Sequence, residues 1–163
     1  MKTVRIPALA LGMFWLVSFY GMAQSKDIEA IKDVITKETV AFFSVDKAKW
    51  SEFWANAPYA YWSYSDSTSS SYIQGWDGLS KTFDSYFRTS KPSKAEIKNE
   101  WQDIRVYGNG AYVSFTQKVL DEIEHDETHQ VRVMEKKDGK WKIICVVAIA
   151  KYAKTTPESR VRQ

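Results

Sequence analysis

From residue 95 onward the chain is written almost entirely in β-forming segments. Residues 95–107, 111–121, 128–137 and 140–152 are β-rich, and "GNG" and "DG" stand between the first and second and between the third and fourth. Gly, Asn and Asp tolerate the positive φ that a tight two-residue turn requires, so each pair reads as a hairpin. The remaining link, "DEIEHDETH", is longer and acidic. Four long strands joined in this way predict an antiparallel meander. Within it, Val113, Phe115 and Val119 share one face, while Ser114, Thr116 and Lys118 take the other. The last strand is apolar on both parities, with Ile143, Cys145, Val147 and Ile149 against Ile144, Val146 and Ala148. Such a strand needs cover on both faces, from a central position or a dimer contact. Between Trp101 and Ile104 the apolar parity slips by one, which predicts a bulge that helps the sheet curl.

Ahead of the meander the spacing is helical. Ile28, Ile31, Ile35 and Phe42, with Val34 and Ala41 alongside, form one inward stripe over residues 28–43. Asp46 is a suitable N-cap for a second, short helix carrying Trp50, Phe53 and Trp54 and ending before Pro58. "YAYWSY" and "YIQGW", separated by "SDSTSSS", predict an aromatic hairpin. Leu79, Phe83, Tyr86 and Phe87 place a third amphipathic helix over residues 76–89, stopped by "SKPS". Helices first and strands after make an α+β domain, with the helices gathered on one face of a bent sheet.

The first 23 residues read as an export signal. Lys2 and Arg5 precede an apolar run, and Gly21 and Ala23 supply small residues before a cut after Ala23. The apolar core is short of the roughly 20 residues that span a bilayer. The expected organisation is therefore a signal peptide at 1–23, one domain at 24–153 and a flexible tail at 154–163, with the product periplasmic or secreted and off the membrane once cut. The leader takes two of the 23 basic residues and leaves near-balance with 20 acidic ones. That balance gives no clustered basic face for nucleic acid. Cys145 is the single cysteine, so no internal disulfide forms, and its apolar strand offers nothing to stabilise a thiolate. His125, His129 and one Cys fit no metal-ligand spacing, and no phosphate loop, nucleophile elbow or cofactor motif occurs.

The order "IKDVITKETVAFFSVDKAKWSEFW", "GWDGL", "NGAYVSFTQ" and "RVMEKKDGKWKIICVVAI" resembles the nuclear transport factor 2-like superfamily, and within it the SnoaL-like group of small secreted bacterial domains. The likeness covers nearly all of residues 26–152, and its most specific parts are the Asp46, Trp50, Trp54 spacing and the "DGKWKI" hairpin. The resemblance implies a cone: a curved, mainly antiparallel mixed sheet wrapped around three N-terminal helices, a cystatin-like α+β roll. A pocket lies at the open end of such cones, and many pair as homodimers through the sheet. Members include isomerases, dehydratases, cyclases and epoxide hydrolases, so the fold leaves the function open.

In such a cone the rings of Trp50, Trp54, Trp76, Phe83 and Trp101 would line the interior, joined by Phe42 on the helical stripe. Aromatics make up 15% of the chain, more than packing alone demands. Glu38 lies on that stripe, since Ile31, Ile35, Glu38 and Phe42 step by four, three and four. A carboxylate among rings is poorly solvated, which would raise its pKa and fit it for proton transfer. The alternative is a structural Glu, hydrogen-bonded to a Tyr or paired with an Arg. Asp103 would join it if the bulge falls after that residue. His129 shares parity with Val131 and Val133, hence the interior, whereas Arg132 is expected on the outer or dimer face. Tyr61, with Tyr59 and Tyr64, could present a hydroxyl at the rim. Three functions follow: binding of a small apolar or aromatic molecule without a cofactor, a cofactor-free lyase, isomerase or hydrolase acting through Glu38, or a dimeric assembly module.

Overall fold

The computed structural model describes residues 9–120 and 125–151. The start of the expected leader and the tail from residue 154 lie outside them. The elements run α1 (Leu9–Phe43), α2 (Lys47–Glu52), β1 (Tyr61–Ser65), β2 (Ser70–Gln74), α3 (Trp76–Thr89), β3 (Glu96–Tyr107), β4 (Gly110–Leu120), β5 (His125–Lys137) and β6 (Lys140–Ala150). The inward stripe of α1 begins at Ile31, but the helix itself reaches back to Leu9, through much of the segment expected as leader. Among the described residues, no helix is long and apolar enough to cross a membrane.

A tight reversal after α1 aims α2 back at it. The Val45 N–H reaches the Phe42 carbonyl at 3.0 Å and the Asp46 N–H reaches that of Ala41 at 3.0 Å. Val45 supplies the left-handed turn at φ +58. This is the paired closure of a Schellman motif, here with Val where Gly is usual. Asp46 then caps α2, its carboxylate accepting from the Lys49 N–H at 2.9 Å. The result puts Trp50, 1% exposed, beside the inward stripe of α1.

The six strands form one mixed sheet in the order β2-β1-β6-β5-β4-β3. All pairs are antiparallel except β1 with β6. The two sequence-marked turns behave as their residues require. Gly108 opens the β3–β4 turn at φ +59, and Asp138 and Gly139 both take positive φ, +51 and +74, between β5 and β6. Two residues interrupt the ladders. Trp101 pairs with Phe115 and Asp103 with Ser114, so Gln102 is the extra residue of the expected bulge. Met134 pairs with Ile143 and Val133 with Cys145, so Ile144 is a second.

That second bulge explains the doubly apolar last strand. Before it the inward residues of β6 are Trp141 and Ile143, and after it they are Val146 and Ala148, all buried. The strand is central, between β1 and β5, and it also changes inward parity midway. The core joins both layers: Ile31 and Ile35 from α1, Trp50 from α2 and Leu79 from α3 pack in one cluster with Phe115, Met134 and Ile143 of the sheet.

Candidate functional site

Inward residues of α1, α2, α3 and four strands line a cavity, open on one side, of about 220 Å³. Its apolar wall carries Phe42, Trp50, Trp54, Trp62 and Phe83. The rings support one another: Phe83 meets Phe42 edge-on at 5.5 Å and Trp62 edge-on at 5.1 Å. The polar wall is more specific. Among the described residues, every buried polar side chain except Thr116 lines this one cavity: Glu38, Thr39, Gln117, Thr128, Gln130 and Arg132. Burying polar groups costs free energy unless they are satisfied, and here most of them satisfy one another.

Glu38 is the joint of the site. It is 5% exposed, and its Oε1 accepts from the indole N–H of Trp50 at 2.8 Å and of Trp54 at 3.2 Å. The four-residue step between the two tryptophans, from α2 into the turn after it, aims both indoles at one oxygen. Oε2 lies 3.7 Å from Arg132 Nη2, with both side chains 6% exposed. Burial pulls the Arg132 guanidinium below its ordinary pKa, and the Glu38 charge works against that pull. Every one of these neighbours is a donor, so the carboxylate serves as an acceptor that ties α1, α2 and β5 together. It is the structural arrangement with an arginine partner, extended by two indoles.

A directional chain of amides crosses the sheet beside it. Asn99 Nδ2 donates to Thr36 Oγ1 at 3.2 Å, and Gln117 Nε2 donates to Asn99 Oδ1 at 3.0 Å and to Thr39 Oγ1 at 3.1 Å. Gln130 Nε2 then donates to Gln117 Oε1 at 2.9 Å and to Thr128 Oγ1 at 2.8 Å. Each amide's orientation is fixed by the one before it. The chain ends at Gln130 Oε1, which has no partner, and Arg132 Nε is likewise unpaired.

Several expected site residues lie elsewhere. Asp103 falls after the bulge at Gln102, not before it, so it shares the outer face with Ser114 and pairs there with Arg105 at 2.7 Å. His129 and Arg132 exchange their expected faces. Thr128, Gln130, Arg132 and Met134 are the buried parity of β5, while His129 is exposed, its Nδ1 3.2 Å from Thr116 Oγ1. The two-residue Asp138–Gly139 turn fixes this, because it pairs Lys136 with buried Trp141 and Met134 with buried Ile143. Tyr61 pairs with Cys145 on the outer face and stacks on Tyr72, leaving Trp62 and Tyr64 to line the cavity. Trp76 backs the wall, stacked on Trp50 at 5.5 Å, and Trp101 packs on Phe115 at 4.9 Å. Neither lines the cavity. Of the residues expected there, Glu38, Phe42, Trp50, Trp54 and Phe83 do. The polar strand residues Gln117, Gln130 and Arg132 were not expected, since their signal lay in the hairpin register and not in composition.

No protein-family model matches the sequence, and no curated protein does. Solved structures do match. An NTF2-like protein of unknown function from Shewanella oneidensis MR-1 gives a TM-score of 0.61 at 14% identity, over 76% of this chain and 98% of that one. A candidate dehydratase of the NTF2-like family from Streptomyces avermitilis gives 0.60 at 17% identity, over 80% and 99%. A protein of unknown function with a cystatin-like fold from Nostoc punctiforme PCC 73102 gives 0.57 at 12% identity, over 81% and 95%. The chain therefore has the nuclear transport factor 2-like, or cystatin-like, α+β fold.

Proposed function

We propose that this is an exported, SnoaL-like domain that binds a small, largely apolar molecule in its cavity without a cofactor. What carries the reading is the convergence of aromatic rings on one wall and nearly all the buried polar side chains on the other. A core made only for stability would be filled with apolar side chains in close contact. The leader-like first 23 residues support export. Native mass spectrometry of the protein from its own host tests both parts. The expected result is a chain beginning at Gln24 that carries a dissociable small molecule. An unliganded protein whose tryptophan emission ignores a panel of aromatic compounds would overturn the binding reading.

Two other readings have an observation behind them. The similarity to a candidate dehydratase favours a cofactor-free lyase acting through Glu38. Its proton-transfer partner would have to be a residue other than Asp103, which lies on the opposite face of the sheet. Pairing of two copies is favoured by the outer face of the sheet. There Val131, Val133, Cys145 and Val147 are half-buried, and Ile149 and Tyr112 are 46% and 38% exposed.

A further inference from the structure

We propose that Tyr152, the first residue past the described end of the last strand, closes the open side of the cavity and forms part of the binding site. This rests on the small-molecule reading above and adds a wall to it. The open side lies where the strands end. Glu38, Trp50, Trp54 and Arg132 are the buried part of the lining, whereas Phe43, Tyr64 and Val119 are half-buried and Asp126 is exposed. Val119, one residue from the end of β4, pairs with Asp126, one residue from the start of β5. These two form one row across the mouth.

β6 is the next strand of the sheet, and its register carries that row on. Ala148 pairs with Gln130 and Ala150 with Thr128. Lys151 continues the ladder, its N–H reaching the Glu127 carbonyl at 2.8 Å and its ammonium the Glu127 carboxylate at 2.7 Å. One residue further, the same register sets Tyr152 opposite Asp126, and directly opposed residues have Cβ atoms about 5 Å apart. Side chains alternate along a strand, so Tyr152 takes the face of Ala148, which lines the cavity. Size gives this position its effect. The inward residues of β6 beside the mouth are Ala148 and Ala150, which are too small to cover it. A tyrosine ring is large enough, and its hydroxyl tolerates the wet edge. It would join Phe43 and Tyr64 at the rim.

Two measurements on the unliganded full chain test this. In a chain carrying Asp126→Cys, Tyr152→Cys and Cys145→Ser, mild oxidation is expected to close a disulfide within one molecule, because opposed residues lie within the roughly 4.4–6.8 Å between Cα atoms that a disulfide spans. A chain that stays reduced, or links only between molecules, would place Tyr152 elsewhere and overturn the proposal. Tyr152→Ser is expected to increase quenching of tryptophan emission by acrylamide, since Trp54 and Trp62 line the cavity behind it. Tyr72→Ser, on the outer face and 71% exposed, should leave quenching unchanged. Equal quenching in the parent and Tyr152→Ser would also overturn the proposal, and quenching that falls in both as protein concentration rises would give the mouth to a second copy instead. Should the cysteine variant not fold, the quenching comparison decides alone. Neither readout needs a ligand, so failure here leaves the small-molecule reading to native mass spectrometry. A chain closed in this way that carries no host molecule would overturn that reading and leave the closure.

Discussion

Glu38 shows at the residue scale how one side chain can be legible in kind and not in role. Its place on the inward stripe follows from helical spacing, but its partners come from two distant segments. Trp50 and Trp54 reach it through the turn after α1, and Arg132 through the register of β5. Removing its charge would leave Arg132 as a buried cation without a counter-ion. Glu38→Gln is therefore expected to lower the stability of the fold by about 3–5 kcal/mol, measured by urea unfolding. Adding Arg132→Met to the same chain should recover most of the loss, because an apolar replacement of a whole buried pair is often tolerated. A Glu38→Gln protein as stable as the parent would mean that the ion pair contributes nothing. The charge rule alone could not give this answer, because it says that a buried acid needs a partner without saying which one.

Among the elements, the β1–β2 hairpin is held by its turn. Asp66 accepts from the backbone N–H of Thr68 and Ser69, each at 2.7 Å, and from the Thr68 hydroxyl at 2.8 Å. The Thr68 amide, then its hydroxyl and the Ser69 amide draw the carboxyl down to about 2 from an ordinary value of 3.8. The folded value lies below the unfolded one, so the contribution is complete above about pH 4 and is lost as pH falls toward 2. Amide exchange across Ser70–Gln74 should accelerate through that window, and Asp66→Ala should be fast throughout and show no step there. The polar run "SDSTSSS" announced a turn, and an Asx-type closure by Asp66 is the mechanism such runs use. The bulges were legible unequally. Gln102 shows as a slip in a one-sided strand, whereas Ile144 sits in a strand apolar on both parities, where a slip leaves no trace.

For the whole molecule, the sheet presents one wall to the helices and the other outward. The outward wall is not a polar surface, with Val131, Val133 and Val147 half-buried and Tyr112 and Ile149 exposed. Light scattering at micromolar concentration is expected to report two copies, and Tyr112→Glu, which sets a charge on that face away from the cavity, should give one. A parent protein that is monomeric throughout would count against pairing.

Periodicity and turn chemistry, which are local properties, determined the elements by themselves. The second and third helices, the hairpin strands, the tight turns at Gly108 and Asp138–Gly139 and the cap at Asp46 follow from residues within a few positions of one another, whereas α1 runs back to Leu9 and β5 begins at His125, inside the expected acidic link. Tertiary structure alone decided which faces of β1 and β5 turn inward. Side-chain direction in a strand reverses with each residue, so the placement of Tyr61, His129 and Arg132 depended on pairing with a distant strand. The parallel seating of β1 against β6 put Trp62 in the cavity and Tyr61 outside it, and the Asp138–Gly139 register put Arg132 against Glu38. The polar half of the cavity exists only because those two pairings coincide in space.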